Sequence, residues 1–201
     1  MRDRLAGGMI DKKAFAALRG ELERFDSSRE VVIKTSRDVL KASKAAIYAV
    51  HRNDHKQAKA QLDDAKKSLA AIAALVKQNP RLDSVGSIQE GMEEFAEASC
   101  YYGIMVDGKL PSPKDITVDI DAYLGGLCDT VGELVRKAIG SAIDDDVATA
   151  MKLRQTVRDI FDELSNFELR NTPVRKKFDG IKYGLEKLED LALQLKLKGK
   201  I

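Results

Sequence analysis

Residues 172–198 read TPVRKKFDGIKYGLEKLEDLALQLKLK, and this stretch decides the fold class. Its apolar positions Val174, Phe178, Ile181, Leu185, Leu188 and Leu191/Ala192 recur at spacings of three and four, the period of one face of an α-helix. Arg175, Lys176, Lys177, Lys182 and Lys187 fall between them, as on a solvated flank. Asn171-Thr172-Pro173 just upstream supplies a cap with proline in the first turn, the ordinary start of a helix.

Working outward, the same period recurs between sparse breaks. Asn79-Pro80, the loop from Asp107-Gly108 to Pro111-Ser112-Pro113, and Gly140-Ser141 followed by Asp144-Asp145-Asp146 leave segments near 11–51, 54–78, 82–106, 115–139, 144–169 and 172–198. The first is long for one helix, and Ser27-Ser28 is where a bend or break is expected. The chain has 201 residues, 44% of them hydrophobic and 33% charged, with four Pro and no Trp. That composition, with no convincing strand or internal repeat, predicts one all-α domain, a bundle of about six to seven helices over 1–201, residues 1–10 being candidates for disorder. A net charge of +2 excludes a strongly basic, histone-like binder but leaves room for a local basic patch. No apolar run reaches the ~18–20 residues that span a bilayer, and the start lacks a signal-peptide core, so a soluble, cytoplasmic chain with reduced thiols is expected.

Two segments carry carboxylates in an unusual setting. In 82–106 the main apolar stripe is Val85, Ile88, Met92, Phe95 and Ser99, with Glu94 and Glu97 on the other side. That other side becomes apolar again at Tyr101, Ile104 and Met105, which puts the two acids at the mouth of a packed region. In 115–139 the stripe is Ile116, Ile120, Tyr123, Leu124, Leu127, Val131, Leu134 and Ala138, with Asp129 and Glu133 stacked opposite at a spacing of four. Gly125, Gly126, Gly132 and Gly140 flank that side. Each interior glycine costs ~1 kcal/mol relative to alanine, so close approach by another backbone or a ligand is expected there. Two acid pairs converging across a bundle suit a hard cation, Mg²⁺ or Mn²⁺, which activates water and binds phosphate oxygens. The commoner reading of acids at these spacings is a solvated or salt-bridged face.

Other candidates carry less. His51 and His55 are four apart but lack a third ligand, so a surface pair is expected. Cys100 and Cys128 have no local base pattern and read as packing residues. There is no G-x-G-x-x-G, P-loop or G-x-S-x-G motif.

Three stretches resemble the family of translin and its partner TRAX. Val174–Tyr183 with Leu185–Glu189 resembles the family's C-terminal helix, with its basic start and Asp-Gly-x-Lys-Tyr core. Asp119–Gly126, extended by Gly132–Arg136, resembles an Asp-x-x-x-Tyr-Leu-x-Gly segment. Glu93-Glu94-Phe95-Ala96-Glu97-Ala98 resembles the TRAX pattern Gln-Glu-Tyr-Val-Glu-Ala, with Glu93 in place of Gln. The matches run in order over most of 20–199, and the chain length suits a compact prokaryotic or archaeal member. The resemblance implies a fold of about seven helices assembling into a hollow, commonly octameric particle that binds single-stranded RNA and DNA. TRAX-type subunits add metal-dependent endoribonuclease activity. Carried over by motif, the catalytic and metal-holding acids are Glu94, Glu97, Asp129 and Glu133, and Glu93 adds negative charge beside them. Arg52, Lys56 and Lys59 lie near the family's basic region and are nucleic-acid-binding candidates, with Arg170, Arg175, Lys176 and Lys177 a second choice.

The expectation is therefore an Mg²⁺- or Mn²⁺-dependent endoribonuclease acting on single-stranded RNA within a homo-oligomer, with no membrane partner. Its rivals are a non-catalytic, translin-like RNA/DNA-binding oligomer and a scaffold that binds protein through the glycine-bearing face.

Overall fold

The computed structural model describes residues 10–201; of the stretch expected to be disordered, 1–9 lie outside the described residues and Ile10 is exposed. Among the described residues seven α-helices make the frame: α1 (Lys12–His51), α2 (His55–Gln78), α3 (Gly86–Tyr102), α4 (Pro113–Ile116), α5 (Ile120–Ile143), α6 (Val147–Ser165) and α7 (Pro173–Leu197). A 3-10 turn, Pro80–Ser84, leads into α3, and a π-helical turn, Gly103–Asp107, extends it. No strand occurs among the described residues.

The caps follow the sequence chemistry. Asp54, Asp119, Asp146 and Thr172 each accept a hydrogen bond from a backbone N–H three residues on, at 2.8–3.3 Å, and so open α2, α5, α6 and α7. Asn53 takes φ 60° at the turn that reverses the chain between α1 and α2. α1 then packs on α2 and α3, α3 on α5, and α5 on both α6 and α7, so α3 and α5 form the middle of the bundle. Leu134 and Leu188 are wholly buried where α5 meets α7. Burying such a side chain contributes about 1.5–3 kcal/mol.

Three boundaries depart from expectation. α1 is continuous across Ser27 and Ser28, whose hydroxyls donate to the carbonyls of Glu23 and Arg24 one turn back, so neither competes with the helix ladder. The segment expected at 115–139 is two helices: Thr117 takes the left-handed φ of 59° and Asp119 caps a new start, which leaves Ile120 largely exposed instead of in the core. Helix α5 then runs through Gly140-Ser141 to Ile143. It stops where Asp145 goes left-handed (φ 61°).

Candidate functional site

The site begins with two glycines. A Cβ on Gly126 would lie 2.5 Å from the Glu93 carbonyl oxygen and 2.6 Å from the Glu97 nitrogen, and one on Gly125 would lie 2.7 Å from the Glu93 carboxyl carbon. Only glycine lets α5 cross this close to α3. Thr130 fastens the crossing, its hydroxyl lying 3.2 Å from the Glu97 carbonyl and 2.8 Å from that of Gly126. Gly184 does a similar service for α7: a Cβ there would come 3.1 Å from Val135 Cγ2. Gly132 and Gly140 have open space around them, so the close approach expected of all four flanking glycines is made by Gly125 and Gly126 alone.

That crossing forms the floor of a cavity of about 620 Å³, lined from α1 by Lys44, Ile47 and Tyr48 and from α7 by Lys177, Gly180, Ile181, Tyr183, Gly184 and Lys187. Glu94 and Glu97 of α3 line it together with Asp129 and Glu133 of α5, so the fold brings all four acids to one space.

Their electrostatics differ sharply. Glu94 Oε1 lies 3.4 Å from Lys44 Nζ, while its Oε2 is buried without a hydrogen-bond partner. Asp129 takes the Lys177 ammonium, which also pairs with Glu93. Burial, followed by the Glu94 carboxylate, pushes Asp129 up to about 6. Glu133 Oε2 meets His51 Nε2 at 2.5 Å and lies 3.8 Å from Arg136 Nη1. Glu97 belongs to no ion pair among the described residues. Burial first, then the charges of Asp129, Glu94 and Glu133, push it up to about 8, so it holds its proton at pH 7.

His51 corrects the sequence reading. It is no surface residue: its ring is mostly covered, and Nδ1 lies 3.2 Å from the Tyr101 hydroxyl, with the two rings 5.0 Å apart. A carboxylate only accepts, so the Nε2–H of His51 donates to Glu133, while Nδ1 meets the Tyr101 hydroxyl. Tyr101 is itself wholly buried, and burial raises its phenol above the ordinary range. His51 lies four residues after the buried Ile47, and that phase was the available signal. His55, at the start of α2, is exposed as expected.

Lys177, one of the basic candidates for nucleic acid, turns inward onto Glu93 and Asp129. Its spacing from Val174 and Ile181, three and four, puts it on the buried line of α7. The other basic candidates stay outside. Arg52, Lys56, Arg170 and Lys176 are exposed, Lys59 pairs with Asp63 at 3.2 Å, and Arg175 pairs with Asp179 at 3.0 Å. Cys100 and Cys128 are free and buried, each pushed up to about 12 by burial, which fits packing residues.

Among the described residues no three His, Cys, Asp or Glu side chains are arranged to hold a metal ion as they stand. The reason lies in the pairings: Asp129 and Glu133 face Lys177 and His51 instead of each other. The donor set itself, carboxylate oxygens with one buried and unpartnered, fits a hard divalent cation. No helix among the described residues is long and apolar enough to cross a membrane.

Comparison with known proteins agrees with this frame. An uncharacterized protein of Methanocaldococcus jannaschii is 30% identical over 148 residues, 71% of this chain and 64% of that protein. The chain thus matches less than two thirds of that relative's length. Translin-associated protein X of Rattus norvegicus is 24% identical over 92% of this chain and 78% of its own. Among solved structures, apo-NeC3PO superposes with a TM-score of 0.85 over 94% of this chain and 99% of its own, at 24% identity. The AfC3PO complex with duplex RNA superposes with a TM-score of 0.83 over 92% and 97%, also at 24% identity. The translin-family model matches residues 27–199, from within α1 to the end of α7, and this chain belongs to the translin family.

Proposed function

We propose that the chain is an Mg²⁺- or Mn²⁺-dependent endoribonuclease acting on single-stranded RNA as part of a self-associating particle. The observation that carries this is the meeting of Glu94, Glu97, Asp129 and Glu133 in one cavity between four helices, with one acid protonated and one carboxylate oxygen left without a partner. Those four residues would hold the cation, which supplies Lewis acidity toward a phosphate oxygen. The protein's own groups do the rest. His51, braced by Tyr101, fixes the direction of the Glu133 carboxylate, and one carboxylate of the four that the metal does not fully engage accepts the proton of the attacking water.

RNA binding is supported by family membership and by a structural neighbour in complex with duplex RNA. Arg52, Lys56, Arg170 and Lys176 are exposed cations available to phosphates, with Arg175 and Lys59 behind weak surface ion pairs. Self-association, an octamer in this reading, is supported by Phe15, Leu18 and Leu22 of α1. All three are more than half exposed, at spacings of three and four.

The test is Glu97→Ala and Asp129→Ala assayed on labelled single-stranded and duplex RNA. Cleavage should fall more than a hundredfold while RNA affinity and particle size stay within twofold. Undiminished cleavage in both variants removes the catalytic reading. A second reading, a non-catalytic RNA-binding oligomer, is favoured by one observation: Lys177 already compensates Asp129 and Glu93. Binding without cleavage at every Mg²⁺ or Mn²⁺ level, unchanged by EDTA, selects it.

A further inference from the structure

We propose that Lys177 is a tethered cation that fills the metal's place in the resting protein, and that a divalent ion enters by displacing its ammonium from Asp129. This rests on the metal reading above and adds a gate to it.

The geometry has three parts. The Lys177 side chain is only 32% exposed, and it spans two helices by pairing with Glu93 of α3 and Asp129 of α5. Its backbone is held: Val174, three residues before it, is buried, and Phe178, directly after it, stacks on Phe161 of α6 with centroids 5.3 Å apart and planes at 6°. The ammonium is therefore delivered by a fixed turn of α7. By contrast, Lys44 has a side chain 54% exposed and reaches Glu94 alone, at 3.4 Å, so it can swing into water.

Charge explains why such a cation is there. Without Lys177, the carboxylates of Glu93 and Asp129 would face each other across α3 and α5 with no compensating ammonium between them. Ammonium and metal compete for the same oxygens of Asp129, so one leaves as the other binds. Glu93, one turn before Glu97 on α3, remains as the leash that receives the displaced ammonium.

Mn²⁺ titration of the full chain by calorimetry tests the exchange. Lys177→Met, close in length and without charge, should bind Mn²⁺ at least tenfold more tightly than wild type. Lys177→Arg, which keeps the cation, should stay within threefold of wild type. Equal affinity in Lys177→Met and wild type overturns the displacement and leaves the metal site standing. No Mn²⁺ binding by either at millimolar concentration overturns both. A measurement on the unaltered protein guards against a folding defect: acylation of Lys177 by an amine-reactive ester, followed by peptide mass spectrometry, should speed up several-fold when Mn²⁺ saturates. Exposed Lys152 should keep its rate. A Lys177 rate that is unchanged or slower overturns the proposal.

Discussion

The α3–α5 crossing and the outer face of α6 and α7 both bring acids together with cations, and the acids respond in opposite ways. On the outer face Glu189 takes Arg154 Nη2 at 2.7 Å and also pairs with Arg158, and its side chain is half-exposed. The Arg154 hydrogen bond, then the two guanidinium charges, hold it below the ordinary carboxylate range. At the crossing Glu97 is buried among three further carboxylates and climbs to about 8. Residue type is the same in both places. What differs is the company: two guanidiniums reach Glu189, whereas burial and like charges surround Glu97, on the helix that Gly125 and Gly126 let come close.

The sharpest way to break the contrast is therefore at Gly126. Gly126→Val drives two methyl groups toward the α3 backbone and should destabilise the fold by about 3 kcal/mol, read from urea unfolding. Gly132→Ala, in open space on the same helix, is the control and should raise stability by up to ~1 kcal/mol. Equal effects of the two would mean that the crossing is not set by glycine.

Next in size is the proton on Glu97. A carboxyl raised from 4.5 to about 8 on folding binds its proton more tightly in the native chain than in the unfolded one. Its contribution therefore falls as pH climbs through that window. Glu97→Gln removes this loss. In EDTA its stability should match wild type near pH 5 and exceed it by about 2 kcal/mol near pH 6.5. A constant gap across pH would show that Glu97 is not the group that titrates.

The smallest effect belongs to the outer pair. Glu189 is lowered, so its stabilisation is present above the unfolded value near 4.3 and is lost as pH falls through the folded one. Glu189→Gln should cost less than about 1 kcal/mol at pH 7, a cost that fades as acid protonates the carboxylate and shrinks in high salt. A cost as large as that of Gly126→Val would place the outer face, not the crossing, at the centre of the bundle's stability.

Much of this could be read from residue order. The period of three and four in Val174–Leu188 announced α7, and four glycines opposite a broad apolar stripe announced a close approach, which Gly125 and Gly126 make and Gly132 and Gly140 do not. The phase of Glu94/Glu97 and Asp129/Glu133 put each pair on one side of its helix, and both sides line one cavity. What escaped was decided between helices. Whether His51 faces water depends on α3 and α5 closing over it, and whether Lys177 is a surface charge depends on which flank of α7 meets the acids. The Thr117 break escaped for a local reason: a β-branched residue at positive φ runs against its own propensity and is held by its surroundings.

Cys100 sits on α3 and Cys128 on α5, both covered and both with thiols that burial keeps protonated. An alkylating reagent meets the wholly covered Cys100 only during excursions that open the packing of α3, so the speed of its modification becomes a clock for that opening. Any ligand that clamps α3 against its neighbours slows this clock, without a label having to be introduced.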